Sequence, residues 1–168
     1  MDGLFSDAPD PAVHPGTHPT PPENWTIELP VGMMQAAQGF LDYLHLWWPT
    51  SLYSVGGAGG QLWWDAERLV EETDDGESIV WATTEVWDPP LTVSCELSLP
   101  GVSGDRWVFT VEPGSGVSHV HFRAPRPRRL PGTGDSATER GGIPDDFWGS
   151  VLGFYGRFMG ASAAPERS

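Results

Sequence analysis

The sequence predicts an α+β domain: a curved antiparallel β-sheet wrapped around a long C-terminal helix, with two short helices after the first strand. Three observations carry this. Strand-like alternation recurs in segments between residues 61 and 124, separated only by short turns. Helical spacing of apolar residues follows the first strand between Gly32 and Trp48. A second apolar helical face closes the chain after Pro144.

Taken in order, residues 1–22 hold six prolines and little large apolar surface beyond Leu4 and Phe5, so they are expected to be a disordered arm. Order is expected over 23–160, one domain, with a disordered tail at 161–168. "NWTIELPV" alternates Trp25, Ile27, Leu29 and Val31 on one face and reads as a strand. Met33, Met34, Ala37, Phe40, Leu41, Leu44 and Trp48 then fall at three- and four-residue steps, a helical stripe. Gly39 within it leaves one long helix or two short ones open, and Pro49 ends it.

"QLWWDAERLVEET" reads as one bent strand or two short ones, and "DDGE" supplies a turn in which Gly76 takes a positive φ. "SIVWATTEVW" is a strand stopped by Asp88-Pro89-Pro90. In "LTVSCELSL" Leu91, Val93, Cys95, Leu97 and Leu99 point inward, and Glu96 points out. "RWVFTVE" and "VSHVHFRA" complete an antiparallel meander. Residues 125–143 are expected to form a long mobile loop. In "PDDFWGSVLGFYGRFMG" Phe147, Trp148, Val151, Leu152, Phe154, Tyr155, Phe158 and Met159 share one wide face, with Gly149, Gly153, Gly156 and Gly160 opposite. A sheet curved round a helix often encloses a cavity.

Charge narrows the function. The chain has 23 acids against nine bases, all arginine, for a net charge of −14. Nucleic acid and anionic membrane are therefore not expected as main partners, since both reward clustered positive charge. Nine tryptophans in 168 residues supply a core, and the acidity keeps so aromatic a chain in solution. Cys95 is alone, which excludes an internal disulfide and suits a reducing cytoplasm. No stretch has the length of a membrane span, and the N-terminus has no secretion-signal pattern, so "NWT" at Asn24 reads as chance.

"WWPTSLYSVGGAGG" (47–60) places four glycines within five residues. A phosphate-binding loop would need a Lys-Ser/Thr pair or a G-x-G-x-x-G fingerprint between strand and helix. This loop runs from helix to strand in a chain without lysine, so its glycines are read as permitting a sharp turn and close approach to the sheet.

"WWPTSLYSVGG", "DGE", "VWDPPLTV" and the final Trp- and Leu-bearing helix, in that order, resemble the SRPBCC (START-like) superfamily, in particular its branch named for activators of the heat-shock-protein-90 ATPase, the Aha-type domains. The resemblance covers roughly residues 25–159 and rests on Trp47-Trp48-Pro49, Ser54 to Gly57, and Trp87 to Pro90. It implies a helix-grip fold enclosing an apolar cavity, with the glycine loop as a lip at its mouth. It implies no single chemistry, because the fold hosts cyclases, lipid carriers, hormone receptors and chaperone partners. After His121 the chain departs from the family pattern with "FRAPRPRRLPG".

His119 and His121 share one strand face. Facing inward they would anchor a ligand; facing outward they would be solvated, with Val120 and Phe122 in the core. Alternation alone leaves both open, and matching His121 to the family's histidine favours inward. A metal site is not expected: no acid follows within residues 122–127, and the other histidines are His45, His14 and His18. Glu71, Glu72, Asp74 and Asp75 are expected to form a solvated acidic tip. No catalytic Ser-His-Asp order, paired buried carboxylate or activated cysteine is evident, and Cys95 reads as a small core hydrophobe.

Arg123, Arg126, Arg128, Arg129 and Arg140 are read as drawn to the protein's own acidic surface, with docking of an acidic partner as the alternative. The glycine face of the last helix is expected to be free, or packed by a second copy or the long loop.

These readings converge on a cavity binding a small hydrophobic or aromatic molecule, with no catalytic residue, cofactor or metal. Its candidate lining is Trp47, Trp48, Tyr53, Trp81, Trp87, Trp107, Phe109, His119, His121, Trp148, Leu152 and Tyr155. Tryptophan side chains filling the space would leave it closed. A protein-interaction module of co-chaperone type, with a protein partner or homodimer, is the alternative. A cyclase or lyase using the same pocket is the third reading.

Overall fold

In the computed structural model the described residues are 21–51, 54, 59–98, 106–125 and 146–168. The proline-rich stretch 1–20, Tyr53, most of the glycine loop and most of the arginine segment lie outside them.

The first strand, β1, spans Pro22–Leu29 and buries Trp25, Ile27 and Leu29 on the face the alternation selects. Helix α1 (Met33–Leu41) and the single turn α2 (Leu44–Trp47) follow. The stripe thus forms two helices, but the break falls at Asp42-Tyr43 and not at Gly39, which is helical and buried. Gly39 has a packing reason: a Cβ there would run into Met159. Trp47 donates its indole N–H to the Gly39 carbonyl at 2.8 Å, fastening α2 back onto α1.

A meander of six strands comes next: β2 (Gln61–Asp65), β3 (Arg68–Glu72), β4 (Ser78–Asp88), β5 (Thr92–Leu97), β6 (Arg106–Pro113) and β7 (Ser118–Pro125). "QLWWDAERLVEET" is therefore two strands, turned at Ala66 with a φ of 51°. Each strand pairs antiparallel with the next, and β1 joins beyond β7. Bulges between Leu69 and Val70 and between Thr84 and Val86 increase the local twist and bend the sheet.

Helix α3 (Phe147–Phe158) packs on the concave side. The register stacks Phe109 opposite Phe122 and Phe122 opposite Trp25, so one continuous aromatic row faces the helices. Phe40 of α1 lies against Phe109 at 3.9 Å between ring centroids. Tyr155 donates its hydroxyl to the Ala36 carbonyl at 2.6 Å, and Trp148 its N–H to the Pro125 carbonyl at 2.8 Å. These bonds tie α3 to α1 and to the end of β7, and both satisfy polar atoms that burial would otherwise strand.

The glycine face of α3 is not one surface. Gly149 and Gly156 press against β1: a Cβ on Gly149 would lie 2.5 Å from Trp25 Cη2, and one on Gly156 would overlap Ile27 Cδ1. Gly153 is open apart from the Arg157 side chain, 3.5 Å away. Gly160 has a φ of 82° and ends the helix, with Ala161 N–H bonded to the Gly156 carbonyl and Gly160 N–H to that of Arg157. Neither a second copy nor the long loop is needed to explain Gly149 and Gly156; the first strand covers them.

The tail also departs from expectation. Glu166–Arg167 forms β8, paired with Trp25 and Thr26 of β1, and gives the sheet the order β2-β3-β4-β5-β6-β7-β1-β8. Arg167 lies over the Trp25 ring at 5.6 Å and reaches Glu23 at 3.4 Å. A cation on an indole face and a ladder at an otherwise open edge order a segment whose composition reads as disordered.

Candidate functional site

Eight of the expected lining residues meet in one packed centre. Trp47, Trp48, Trp81, Trp107, Phe109, Trp148, Leu152 and Tyr155 are all buried, none more than 6% exposed. Trp48 stacks on Trp107 at 6.1 Å and meets Trp81 edge-on at 5.5 Å, and Trp107 meets Trp148 edge-on at 5.0 Å. Among these residues the indoles are buried against one another between sheet and α3. Burial pushes the Tyr155 phenol well above its ordinary range.

His119 and His121 are not part of that centre, which corrects the inward expectation. Val120 and Phe122 point inward, 0% and 3% exposed, because they pair with Ile27 and Trp25 of β1. The histidines therefore lie on the convex face. His119 lies 3.9 Å from Glu28, and His121 lies 3.5 Å from Glu112 and 3.2 Å from the Thr26 hydroxyl. No group of three His, Cys, Asp or Glu side chains placed to hold a metal ion occurs among the described residues.

The acidic tip is also different from expectation. Glu71 is fully buried, on the same face of β3 as Leu69. Its carboxyl group accepts the Trp81 indole N–H at 2.7 Å and the hydroxyl of Ser54. Gly60 lies directly over it, since a Cβ there would stand 2.5 Å from Glu71 Oε1. The end of the glycine loop thus needs bare backbone to seat on a buried carboxyl group. Alternation counted from Leu69 points to this inward position; four acids in a short stretch conceal it.

An open groove lies where helices and sheet edge meet. It has a volume of about 600 Å3 and is lined by Leu41, Asp42, His45, Gln61, Trp63, Trp64, Ala66 and Trp87. The break between α1 and α2 places Asp42 and His45 at its wall. Trp63 and Trp64 point to opposite faces of β2, and both reach the groove because β2 is the sheet's edge strand. Trp64 meets Trp87 edge-on at 5.6 Å, and Trp87 is 39% exposed. Of the expected lining, Trp87 alone among the described residues borders this groove. Asp42, His45, Gln61, Trp63 and Trp64 carry no signal for it in the sequence, because only the docking of α2 against β2 brings them together.

Cys95 sits on the concave face opposite Trp107. Burial, with the Glu85 carboxylate adding to it, pushes the thiol up to about 12, so it is an inert core side chain. No helix among the described residues is long and apolar enough to cross a membrane.

No protein-family model and no curated protein sequence matches the chain. Solved structures do. The Aha1 dimer from Colwellia psychrerythraea is 15% identical with a TM-score of 0.50, covering 82% of this chain and 95% of that one. The self-sacrificing resistance protein CalC from Micromonospora echinospora is 15% identical at a TM-score of 0.51, over 83% and 94%. The anthrahydroquino-gamma-pyrone synthase Txn09 is 20% identical at 0.51, over 83% and 97%. At such identities the likeness is one of fold: the chain has the helix-grip fold of SRPBCC proteins.

Proposed function

We propose that this helix-grip domain binds a small hydrophobic or aromatic molecule in the groove between the α1–α2 corner and strand β2. The groove of about 600 Å3 walled by three tryptophans and Leu41 carries the reading. Its size suits a small ligand, and aromatic walls with a few polar groups are the usual composition of such sites. Asp42, His45 and Gln61 supply the polar contacts.

The test is native mass spectrometry of gently purified protein with a denatured control, followed by NMR of the indole N–H signals. A carried ligand gives excess mass that vanishes on denaturation, and added ligand moves the signals of Trp63, Trp64 and Trp87 more than those of Trp81 and Trp148. Movement confined to the buried indoles would place the ligand in the core and refute the groove.

A second reading, a protein-interaction surface, has its own support. Met34, Tyr43, Leu46 and Phe158 are exposed by 60%, 48%, 59% and 40%, and the ring of Tyr43, in the break between α1 and α2, lies 6.4 Å from that of Phe158 at the end of α3. Exposed apolar side chains on and between the helices suit a homodimer or a protein partner. Sedimentation velocity of the chain and of Leu46→Glu decides: a dimer abolished by the substitution supports it, and a monomer in both cases removes the homodimer.

A further inference from the structure

The groove beside β2 has a chemical bias beyond being apolar. Three indoles and the Asp42 carboxylate line it beside the His45 imidazole, and no arginine is among its described lining residues. Arg68, in the hairpin that ends at the groove, is paired with Asp65 at 2.6 Å, so its charge is offset locally. Trp64 and Trp87 stand with their ring planes at 61°, forming two sides of a corner. An indole face carries partial negative charge and favours a cation by roughly twofold when exposed and up to about 30-fold when desolvated. The chain as a whole, at −14, draws cations towards it.

We infer that the groove selects an organic cation, an aromatic molecule bearing an alkylated ammonium group, with the ammonium held by Trp64, Trp87 and Asp42. The inference rests on reading this groove as the binding site. A neutral apolar ligand would use the same walls but gain nothing from Asp42. An anionic one would meet that carboxylate, with only His45 among the described lining residues to offset it.

Isothermal titration of the full chain with meta-hydroxyphenyltrimethylammonium and its uncharged isostere meta-tert-butylphenol tests this. The two differ in charge and hardly in shape. The cation is expected to bind at least about tenfold more tightly. Trp87→Leu and Asp42→Asn, both at accessible positions, should each cut that ratio severalfold while the circular dichroism spectrum stays unchanged. Equal affinities for the two probes, both weakened by Trp87→Leu, would overturn the cation preference and leave the groove reading standing. A preference untouched by either substitution would place the cation elsewhere on the acidic surface and overturn the inference. Absence of binding by either probe at millimolar concentration would overturn both readings.

Discussion

Trp81 donates its indole N–H to the carboxyl group of Glu71 at 2.7 Å, both side chains being almost wholly buried. The bond joins β3 to β4 and, through the Ser54 hydroxyl and Gly60, seats the end of the glycine loop on the sheet. Trp81→Phe keeps a ring against Trp48 but removes the donor, at an expected cost of about 1–3 kcal/mol. Glu71→Leu removes the acceptor and should cost a similar amount. The double variant should lose less than the sum, because neither polar atom is then left without its partner. Urea unfolding of the four proteins measures this, and strictly additive losses would mean the two groups act independently.

Glycines on α3 should respond in opposite directions. Gly153→Ala enters open space and replaces the weaker helix former, so it should stabilise by up to about 1 kcal/mol. Gly156→Ala forces a methyl into Ile27 and should destabilise by about 1–3 kcal/mol. Thermal unfolding reports both. A stabilising Gly156→Ala would show that α3 does not lie as close to β1 as described.

Alkaline pH should weaken the fold through Cys95. The native thiol ionises at about 12, against 9.0 for an ordinary one, so between these values the unfolded chain loses a proton that the folded chain keeps. Stability is complete below about 9 and falls as pH rises, by up to about 1.4 kcal/mol per pH unit. Tyr155, also shifted upward by burial, acts in the same direction. Chemical denaturation across this range should show a shallower fall for Cys95→Ala than for the parent chain. Equal slopes would remove the thiol from the account.

Deleting residues 166–168 should expose an edge. The tail bonds β1 through Ser168 N–H to the Asn24 carbonyl at 3.0 Å and lays Arg167 over Trp25. Its loss should cost about 1 kcal/mol and leave β1 with unpaired backbone groups, a template for self-association. Sedimentation velocity of the shortened chain should show larger species than the intact chain forms. A stable monomer would mean that the edge is protected in another way.

The fold was legible wherever period and burial agree. Trp25, Ile27 and Leu29, then Val93, Cys95 and Leu97, alternate so that face and strand follow together, whereas Leu91, read into the same series, precedes the strand and is exposed. The helical stripe after Gly32 was plain too, although Met34 falls on the exposed side, and its break could not be placed: Gly39 looks like the weak point, and only contact with Met159 shows why a glycine stands there. His119 and His121 could not be assigned a face because Val117 shares theirs; pairing of Val120 with Ile27 decides it. For Glu71, local charge argued for solvent, and the hydrogen bonds that offset its burial come from residues 17 positions earlier and ten later.

The sequence by itself determined an acidic, tryptophan-rich α+β domain with a meander of strands between short early helices and an amphipathic final one. Those properties are local, set by period, turn residues and composition. Tertiary structure alone decided that the central tryptophans pack against one another, that Glu71 is buried, and that the open groove lies beside β2. Each depends on which distant segments touch, and a one-dimensional pattern specifies which face is apolar but not what that face meets.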